Sequence, residues 1–451
     1  MLRGRLSAPA APLLVLLVVS LLSLGARGLL LDEPCQSPCT TASEHTLVFD
    51  EAYYVNAARV IAGIHPPSGA HYADAPLGTD PNAEHPQAAK LIMAAAIEIF
   101  GDGPFAWRIG SLIMGSIALL GMFALVRSAG GGRWSAVGAA ALMACDNLLL
   151  VHGRIGTLDI YVVAAMIWGV ALYVRGSPLL AGLALAIADC FKLVAPYAIV
   201  VIGLIELLRV LTRRRDGSLP PEWALRPAIG RLLATTFVSI GVFVGILAIM
   251  GQIAPPYADA EARLITGGPF AHIGHMISYA AQQVSPHGPT GIASYPWAWL
   301  IDLKPIVYLR INPSLPGENF GAIHPVSAFF GMVSPPIMLL GIPGLVFAGY
   351  RIARRRRAAD GRAPADLQLA IVAVAWFVGT WVPFALQSLI DQRTSYLYYM
   401  VIVMPGVYVA AIYVAALGWR RRVPWLSGLT VAWGLAVLAA VVLMYPFVAA
   451  F

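Results

Sequence analysis

The sequence predicts an all-α polytopic membrane protein, and three observations lead to this class. Hydrophobic residues make up 59% of the 451 residues and charged residues only 12%, whereas soluble domains carry about 25% charged residues. The mean hydropathy is +0.75. The apolar residues form long continuous runs, unlike the alternating strands of a membrane barrel. Because about 20 apolar residues cross the hydrocarbon core and the backbone must satisfy its own hydrogen bonds there, we expect transmembrane helices.

Apolar runs between charged or Gly/Pro-rich breaks predict about eleven transmembrane helices. The block 177–212 fits either two short helices that break around "DCFK" or one long tilted helix. The predicted spans are 11–31, 105–127, 134–152, 156–174, 177–190, 192–212, 229–251, 327–350, 367–390, 396–417 and 424–448. The chain thus divides into a first helix (1–31), a first outer loop with interfacial helices (32–104), a helical block (105–251), a second outer segment (252–326) and C-terminal helices (327–451).

The N-terminal segment has two interpretations. A basic start, an apolar core and small residues after it also describe a secretory signal peptide. Because the apolar run resumes at Leu29 and reaches spanning length, we expect a retained first helix, a signal-anchor. Both interpretations leave the topology of the later helices unchanged.

Basic residues orient the predicted helices. If the N-terminus is cytoplasmic, most arginines fall on the cytoplasmic side, as the positive-inside rule requires. The net charge of +7 therefore indicates topology and contact with anionic membrane lipids rather than nucleic-acid binding. We expect an integral protein of the plasma membrane, if the source is prokaryotic, with an extracytoplasmic site. The arginines assigned to the inner side are Arg3, Arg5, Arg127, Arg133, Arg175, Arg209, Arg213–Arg215, Arg226, Arg231, Arg351, Arg354–Arg357, Arg362 and Arg420–Arg422.

Two of the four cysteines, Cys35 and Cys39, lie in the first outer loop. An oxidising compartment permits a local disulfide between them, and a pair of free thiols is the alternative. Cys145 and Cys190 fall within or at the ends of predicted spans, where we expect them to serve packing.

Ionisable residues beside the predicted spans cluster on the outer side. Such residues are costly at helix depth and usually face a cavity. Independent structural charges would be expected at both ends of the helices, so the clustering predicts a functional site. The polar groups are Asp50 and Glu51, His85 and Lys90, "HGRIGTLD" with His152, Arg154 and Asp159, "DCFK" with Asp189 and Lys192, "SYPWAW" from Ser294 to Trp299, and "DQRTSYLYY" with Asp391 and Arg393.

Some of these residues also have simple structural interpretations. Asp50 fits the N-cap of an interfacial helix whose apolar face includes Tyr54. His85, followed by Pro86, fits the start of another such helix. Trp297 fits an aromatic belt at the membrane interface.

The charged residues beside the predicted spans have structural interpretations as well. Arg154 with Asp159, or Lys192 with Asp189, would form ion pairs that close the loops between helices.

Taken together, the outer groups fit the transfer of a sugar from a polyprenyl phosphate to a hydroxyl. The leaving phosphate needs positive charge nearby. The weak hydroxyl nucleophile needs a base on the opposite side of the anomeric carbon, and a lipid-exposed scaffold suits a polyprenyl donor.

The same motifs resemble the protein O-mannosyltransferases and their bacterial phospholipid-carrier-dependent relatives. They are "FDEAYY", "EHPQAAKLI", "GPFAWRI", "GRIGTLDI", "ALAIADCFKLVAPY" and "SYPWAW" in this order, with "DQRTSYLYYMVIVMP" as a less firm match near the C-terminus. The resemblance implies the GT-C fold, a multi-helix membrane scaffold with an extracytoplasmic active site. It also implies one inverting displacement on a lipid-phosphate sugar, with mannose as the favoured sugar.

The resemblance assigns roles to single residues. Asp50 becomes the general base that deprotonates the acceptor hydroxyl, and Glu51 orients the acceptor or shares the proton. The chain departs from the family at Gln87 and Ala88, where a second proline and a leucine are usual. The remaining roles are donor-phosphate binding for Arg154, Lys192 and Arg393, and acceptor binding or lining of the site for His85, Tyr54, Asp159 and Trp297.

The resemblance also limits what is predicted about partners. The donor is a polyprenyl-phosphate-linked sugar, and the acceptor is a protein's Ser or Thr, a glycan or a lipid, because segment 252–326 is too short for the lumenal β-trefoil region of eukaryotic members. No cofactor is required. A divalent cation stays open but is not indicated, because the first outer loop lacks an Asp-x-Asp pair and His272 and His275 lack the Glu of a zinc-protease helix.

Other functions fit less well. A transporter or lipid flippase would place its polar site near the midplane on broken helices of matching repeats, whereas these polar groups lie at one end. A transferase of aminoarabinose to lipid, on the same scaffold, is the alternative enzyme, and the His-Pro pair at His85 argues mildly against it.

Overall fold

The computed structural model describes residues 10–33, 45–215, 220–310, 328–354, 365–421 and 423–445. Cys35 and Cys39 lie outside these residues, so their pairing stays a prediction. The described chain consists mainly of helices, with two small two-stranded sheets; one lies within the second outer segment, and the other pairs residues 306–310 of that segment with residues 328–331.

The helices follow the order that the apolar runs predict. They are α1 (Ala11–Gly28), α2 (Glu51–Ile61), α3 (Ala88–Phe100), α4 (Pro104–Ser128), α5 (Arg133–Ala144), α6 (Asn147–His152), α7 (Asp159–Val174), α8 (Pro178–Phe191), α9 (Pro196–Arg215), α10 (Leu225–Ile253), α11 (Gly268–Gln282), α12 (Pro296–Trp299), α13 (Pro335–Ala353), α14 (Ala365–Ile390), α15 (Met400–Arg420) and α16 (Pro424–Leu443).

Each predicted span contains a helix, although the span 134–152 is broken into α5 and α6, and residues 328–331 of the span 327–350 form a strand before α13 begins at Pro335. The number of membrane crossings stays a prediction. Among the described residues, seven helices are long and apolar enough to cross a membrane, namely α1, α4, α10, α13, α14, α15 and α16. Helices α7 and α8 are shorter apolar helices. The block 177–212 forms two helices, because Lys192 takes an extended conformation after α8 and Pro196 begins α9. The predicted interfacial helices of the first outer loop correspond to α2 and α3.

Helices α7 and α15 form the centre of the bundle. Most side chains of both are buried on all sides, which explains why their sequences are apolar around the whole circumference. Small residues permit the close packing: a Cβ on Gly406 would lie 2.8 Å from the backbone nitrogen of Phe377 in α14, and one on Gly379 would lie 2.9 Å from that of Val201 in α9. Such small-residue contacts are typical of helices packed within a membrane.

The two outer segments are joined by backbone pairing. Strands β1 (Tyr257–Ala258) and β2 (Arg263–Leu264) form one antiparallel pair, and β3 (Ile306–Arg310) and β4 (Ala328–Gly331) form the other. Asp80 of the first outer loop accepts a hydrogen bond at its carbonyl from the N–H of Tyr257, at 2.8 Å. The outer segments therefore pack together at one end of the bundle.

Candidate active site

A cavity of about 870 Å³ lies where α2 begins and α8 ends. Its walls come from α2, the loop before α3, the break between α8 and α9, α11, and the segment after α14. Five charged side chains line it: Asp50, Glu84, Lys192, Asp391 and Arg393. Eight tyrosines line it as well: Tyr53, Tyr54, Tyr72, Tyr197, Tyr279, Tyr396, Tyr398 and Tyr399.

Asp50 occupies the N-cap position of α2 but does not cap the helix with its side chain. The carboxylate is half-buried and lines the cavity. Burial raises the pKa of Asp50 to about 7; Lys192 lowers it and Asp159 raises it further. The simple capping interpretation of Asp50 therefore does not account for its side chain, which is available to take up a proton near neutral pH.

Glu51, one residue further on, is fully buried and lies outside the set of residues that line the cavity. Its Oε1 and Oε2 accept hydrogen bonds from Nε and Nη2 of Arg108, both at 2.8 Å. The backbone N–H groups of Val48 and Gly156 donate to the same carboxylate at 2.8 and 2.7 Å. With these partners Glu51 holds the start of α2 against α4, and the acceptor role predicted for it finds no support in its placement.

Lys192 points into the cavity from the break between α8 and α9. Its Nζ lies 2.7 Å from Oδ1 of Asp159, so the ion pair forms with Asp159 rather than with Asp189. The same Nζ lies 5.2 Å and 5.8 Å from the ring centres of Tyr398 and Tyr399. The carboxylate of Asp159 and the two tyrosine rings thus fix the position of the Lys192 ammonium group, which can then attract an anion that enters the cavity.

Asp159 does not line the cavity; it supports Lys192 from behind. Its second oxygen, Oδ2, lies 3.6 Å from Nδ1 of His152 and has no hydrogen-bond partner among the described residues. His152 in turn contacts the hydroxyl of Tyr308, with its Nε2 at 2.8 Å. His152 and Asp159 of the motif "HGRIGTLD" thus lie behind Lys192 and fix its position at the cavity.

His85 lines the cavity on the side of Tyr54, and the two ring centres are 5.9 Å apart. Burial lowers the pKa of His85 well below 6.5, and Lys192, Lys90 and Arg393 lower it further. A neutral imidazole at neutral pH can donate one hydrogen bond and accept another.

The loop that presents His85 is fixed by Lys90. The fully buried Nζ of Lys90 lies 2.6 Å from Oδ2 of the fully buried Asp80. It also donates to the carbonyls of Asn82 and His85 at 2.5 and 3.0 Å. Because a buried amine without partners would be costly, this network specifies one loop conformation.

Arg393 lines the cavity from the segment after α14. One guanidinium nitrogen donates to the carbonyl of Ala280 in α11. The Nε atom is buried and has no hydrogen-bond partner among the described residues, so this side chain retains capacity to bind an anion or a carbonyl.

Arg154 lies away from the cavity, contrary to the predicted phosphate-binding role. Its Nη2 donates to the carbonyls of Leu29 and Leu30, both at 2.9 Å, and its Nη1 to the hydroxyl of Tyr445 at 3.3 Å. The buried guanidinium is therefore occupied by the chain that follows α1. The predicted ion pair of Arg154 with Asp159 is also replaced, because Asp159 pairs with Lys192.

Trp297 does not line the large cavity either. It lines a smaller cavity of about 360 Å³ and stacks on Tyr295, with ring centres 4.5 Å apart. Trp299 of the same motif is buried, and its Nε1 donates to Oγ of Ser294 at 3.0 Å.

Sequence reasoning missed several of the lining residues. Glu84 precedes His85 in "EHPQAAK", from which functional roles are predicted only for the histidine and the lysine. Tyr398 and Tyr399 belong to "DQRTSYLYY", where only Asp391 and Arg393 are singled out from the sequence; the run of tyrosines is the signal that indicates them. Met276 and Tyr279 come from α11, and the local sequence gives no sign that this helix forms a wall of the cavity.

Comparison with known proteins agrees with the resemblance seen in the motifs. The family model of dolichyl-phosphate-mannose-protein mannosyltransferases matches residues 83–252. A polyprenol-phosphate-mannose–protein mannosyltransferase of Mycobacterium tuberculosis is 24% identical over 409 residues, which cover 78% of this chain and 72% of the relative. The resemblance to protein O-mannosyltransferases is confirmed.

Solved structures show the fold. The S. cerevisiae protein O-mannosyltransferase Pmt1-Pmt2 complex bound to the sugar donor matches with a TM-score of 0.71 at 11% identity, over 98% of this chain and 90% of that chain. ArnT from Cupriavidus metallidurans bound to undecaprenyl phosphate matches with a TM-score of 0.52 at 18% identity, over 97% and 65% of the chains. The predicted GT-C fold is confirmed.

Proposed function

We propose that this chain is an integral-membrane glycosyltransferase that moves mannose from a polyprenyl phosphate to a serine or threonine hydroxyl of a protein. One observation carries the proposal. The carboxylate of Asp50 makes no capping hydrogen bond and shares a large cavity with the cations Lys192 and Arg393. The mannose donor and the protein acceptor are the ones named for the mycobacterial relative.

The reaction proceeds as one displacement at the anomeric carbon. The acceptor oxygen forms a bond to this carbon while the bond to the phosphate oxygen breaks, and the electron pair leaves with the phosphate. The acceptor proton passes to Asp50, and attack from the side opposite the phosphate inverts the configuration. Lys192 and Arg393 supply the positive charge that the leaving phosphate needs, so the proposed step requires no cofactor.

Different residues of the cavity lining bind the acceptor and the phosphate of the donor. His85 and Tyr54 lie beside each other in the cavity lining, and we assign them to the acceptor or the sugar hydroxyls. Tyr398 and Tyr399 surround Lys192 and keep it directed at the donor phosphate. Glu51 and Asp159 act as positioning residues through their salt bridges with Arg108 and Lys192.

The site faces the extracytoplasmic side of the plasma membrane, and the N-terminus is cytoplasmic. The distribution of arginines supports this orientation, because the cavity lies at the end of the bundle opposite to Arg127, Arg175 and Arg231. An external site also suits an acceptor that is exported.

The alternatives are disfavoured by particular observations. For an aminoarabinose-type transferase, the similarity to ArnT extends over only 65% of that chain, whereas the match to the mannosyltransferase covers 90%. A transporter would need its charged site at the midplane, whereas Asp50 and Lys192 lie at helix ends.

The decisive experiment is transfer of radiolabelled mannose from polyprenyl-phosphate-mannose by the detergent-purified protein. A secretome extract serves as acceptor, and Asp50→Asn is assayed in parallel. Label that appears in protein with the wild type but not with the variant supports the proposal. Absence of label with the wild type argues against mannose as the sugar, and label in lipid rather than protein argues against the acceptor.

A further inference from the structure

The smaller cavity of about 360 Å³ lies next to the candidate active site. It is formed between residues 285–297, which follow α11, and residues 388–395, at the end of α14. Tyr295, Trp297 and Arg393 contribute its largest polar or aromatic side chains. Six smaller polar side chains complete the polar lining, the amide of Gln392 and the hydroxyls of Ser285, Ser294, Ser388, Thr394 and Ser395.

A wall of paired backbone separates the two cavities. Val284 and Arg393 form an isolated antiparallel bridge, and the N–H of Thr394 donates to the carbonyl of Gln283 at 2.9 Å. On the two sides of this pairing, Gln283 and Val284 line the larger cavity, whereas Ser285 and Thr394 line the smaller one. Among the described residues, Arg393 alone lines both.

The ring pair of Tyr295 and Trp297 forms an exposed apolar platform at the smaller cavity. The planes are inclined by 15°, and the side chains are 38% and 42% exposed. The backbone behind them is fixed, because Nε1 of Trp381 donates to the carbonyl of Pro296 at 3.0 Å. A rigid aromatic surface of this kind packs well against an apolar side chain of a ligand.

We propose that the smaller cavity binds the acceptor polypeptide beside its reactive hydroxyl. An extended, uncharged stretch of the acceptor lies along the wall and places an apolar side chain on Tyr295 and Trp297. The inference rests on the proposed function, because a flanking stretch exists only when the acceptor is a polypeptide.

The charge of the two cavities supports this occupant. The described lining of the smaller cavity contains no carboxylate, whereas Asp50, Glu84 and Asp391 line the larger one. A lipid headgroup phosphate would find Arg393 as its single cationic partner in this lining. An uncharged acceptor polypeptide needs only hydrogen-bonding groups and an apolar surface. The hydroxyl side chains of the lining and the ring pair of Tyr295 and Trp297 provide both.

Two acceptors that differ only in flanking residues test the inference. One is N-acetyl-threonine N-methylamide, which carries the hydroxyl without flanks, and the other is a long synthetic peptide with a single threonine between uncharged residues. For Trp297→Ala we expect KM for the long peptide to rise about tenfold with kcat nearly unchanged. The KM for the minimal acceptor should stay as in the wild type.

Two variants serve as controls. Trp297→Phe keeps an aromatic ring on Tyr295 and should restore most of the affinity for the long peptide. Trp425→Ala removes a tryptophan that is 65% exposed at the start of α16 and lines neither cavity, so it should leave both KM values unchanged.

The outcomes separate the two proposals. If the wild type transfers mannose to neither acceptor, the proposed function fails. If it transfers to both and Trp297→Ala changes the two KM values equally or not at all, the peptide subsite is refuted while the function stands.

Discussion

At the scale of single residues, Asp50 and Glu51 show how one step along a helix separates two roles. Successive residues of an α-helix are rotated by about 100°. Asp50 therefore lines the cavity, whereas Glu51 points into the protein and is bound by Arg108. The sequence predicts the pair as a unit, because a motif specifies residue types and spacing but not the direction of each side chain.

Substitution of the two carboxylates should therefore have different consequences. Asp50→Asn should lower kcat by about 10²- to 10⁴-fold, as loss of a general base does, with little change in the thermal unfolding midpoint. Glu51→Ala leaves Arg108 buried without its anion and should cost about 3–5 kcal/mol of folding free energy. The measurements are kcat and thermal unfolding in detergent; a stability loss in Asp50→Asn as large as that of Glu51→Ala would contradict the assignment.

The protonation of Asp50 should appear in the pH dependence of transfer. Burial raises its pKa to about 7, and the base must be deprotonated to act, so kcat/KM should rise with pH and level off above about 7. Lys192 lowers this pKa and Asp159 raises it. The rising limb should hence move to higher pH in Lys192→Met and to lower pH in Asp159→Asn.

Two results would contradict this prediction of the pH dependence. Shifts of the two variants in the same direction, or a flat profile in the wild type, would show that Asp50 is not the titrating group. The residual rates need only be measured relative to the plateau of each variant, so reduced donor binding does not obscure the result.

At the scale of elements, α1 is tied to the bundle by side chains from distant parts of the chain. The guanidinium of Arg27 donates to the carbonyl of Leu112 in α4 at 2.9 Å, and the hydroxyl of Tyr445 donates to the carbonyl of Ala26 at 2.6 Å. Arg154 holds the carbonyls of Leu29 and Leu30. These contacts fix the position of the first helix against the bundle.

Arg154→Ala should consequently weaken the fold rather than donor binding. Removal of the guanidinium takes the donor from the part-buried carbonyls of Leu29 and Leu30, and an unpaired buried carbonyl costs about 1–3 kcal/mol as an upper bound. We expect a lower thermal unfolding midpoint and an unchanged Kd for polyprenyl phosphate. Arg263→Ala removes an exposed arginine and serves as the matched control. A weaker Kd at unchanged stability would restore Arg154 to the phosphate site.

The elements themselves were largely predictable, whereas their contacts were not. Apolar runs located the helices because this signal is local, but they left the block 177–212 open between two helices and one, and the structure shows two. The wall between the two cavities pairs Val284 with Arg393, over a hundred residues apart in the chain, and no local pattern reports such a contact. The placement of Trp297 at a second cavity depends on this pairing.

At the scale of the whole molecule, the arginine-rich end and the candidate active site lie at opposite ends of the helix bundle. The cavity is formed at the end where α8 and α14 finish and α15 begins, whereas Arg175, Arg351 and Arg420 lie at the other end. An arginine-rich end is retained in the cytoplasm. Together, the positive-inside rule and the position of the cavity therefore predict that the cavity faces the extracytoplasmic side.

Cysteine labelling in intact cells tests that orientation. In a variant without the four native cysteines, Leu303→Cys places a thiol on the cavity side, at a side chain that is 69% exposed. Trp419→Cys places one beside Arg420, at a side chain that is 56% exposed. A membrane-impermeant maleimide should label the first variant in intact cells and the second only after permeabilisation. The reverse pattern would place Asp50 in the cytoplasm, where an exported acceptor could not reach it, and would overturn the proposed location of the reaction.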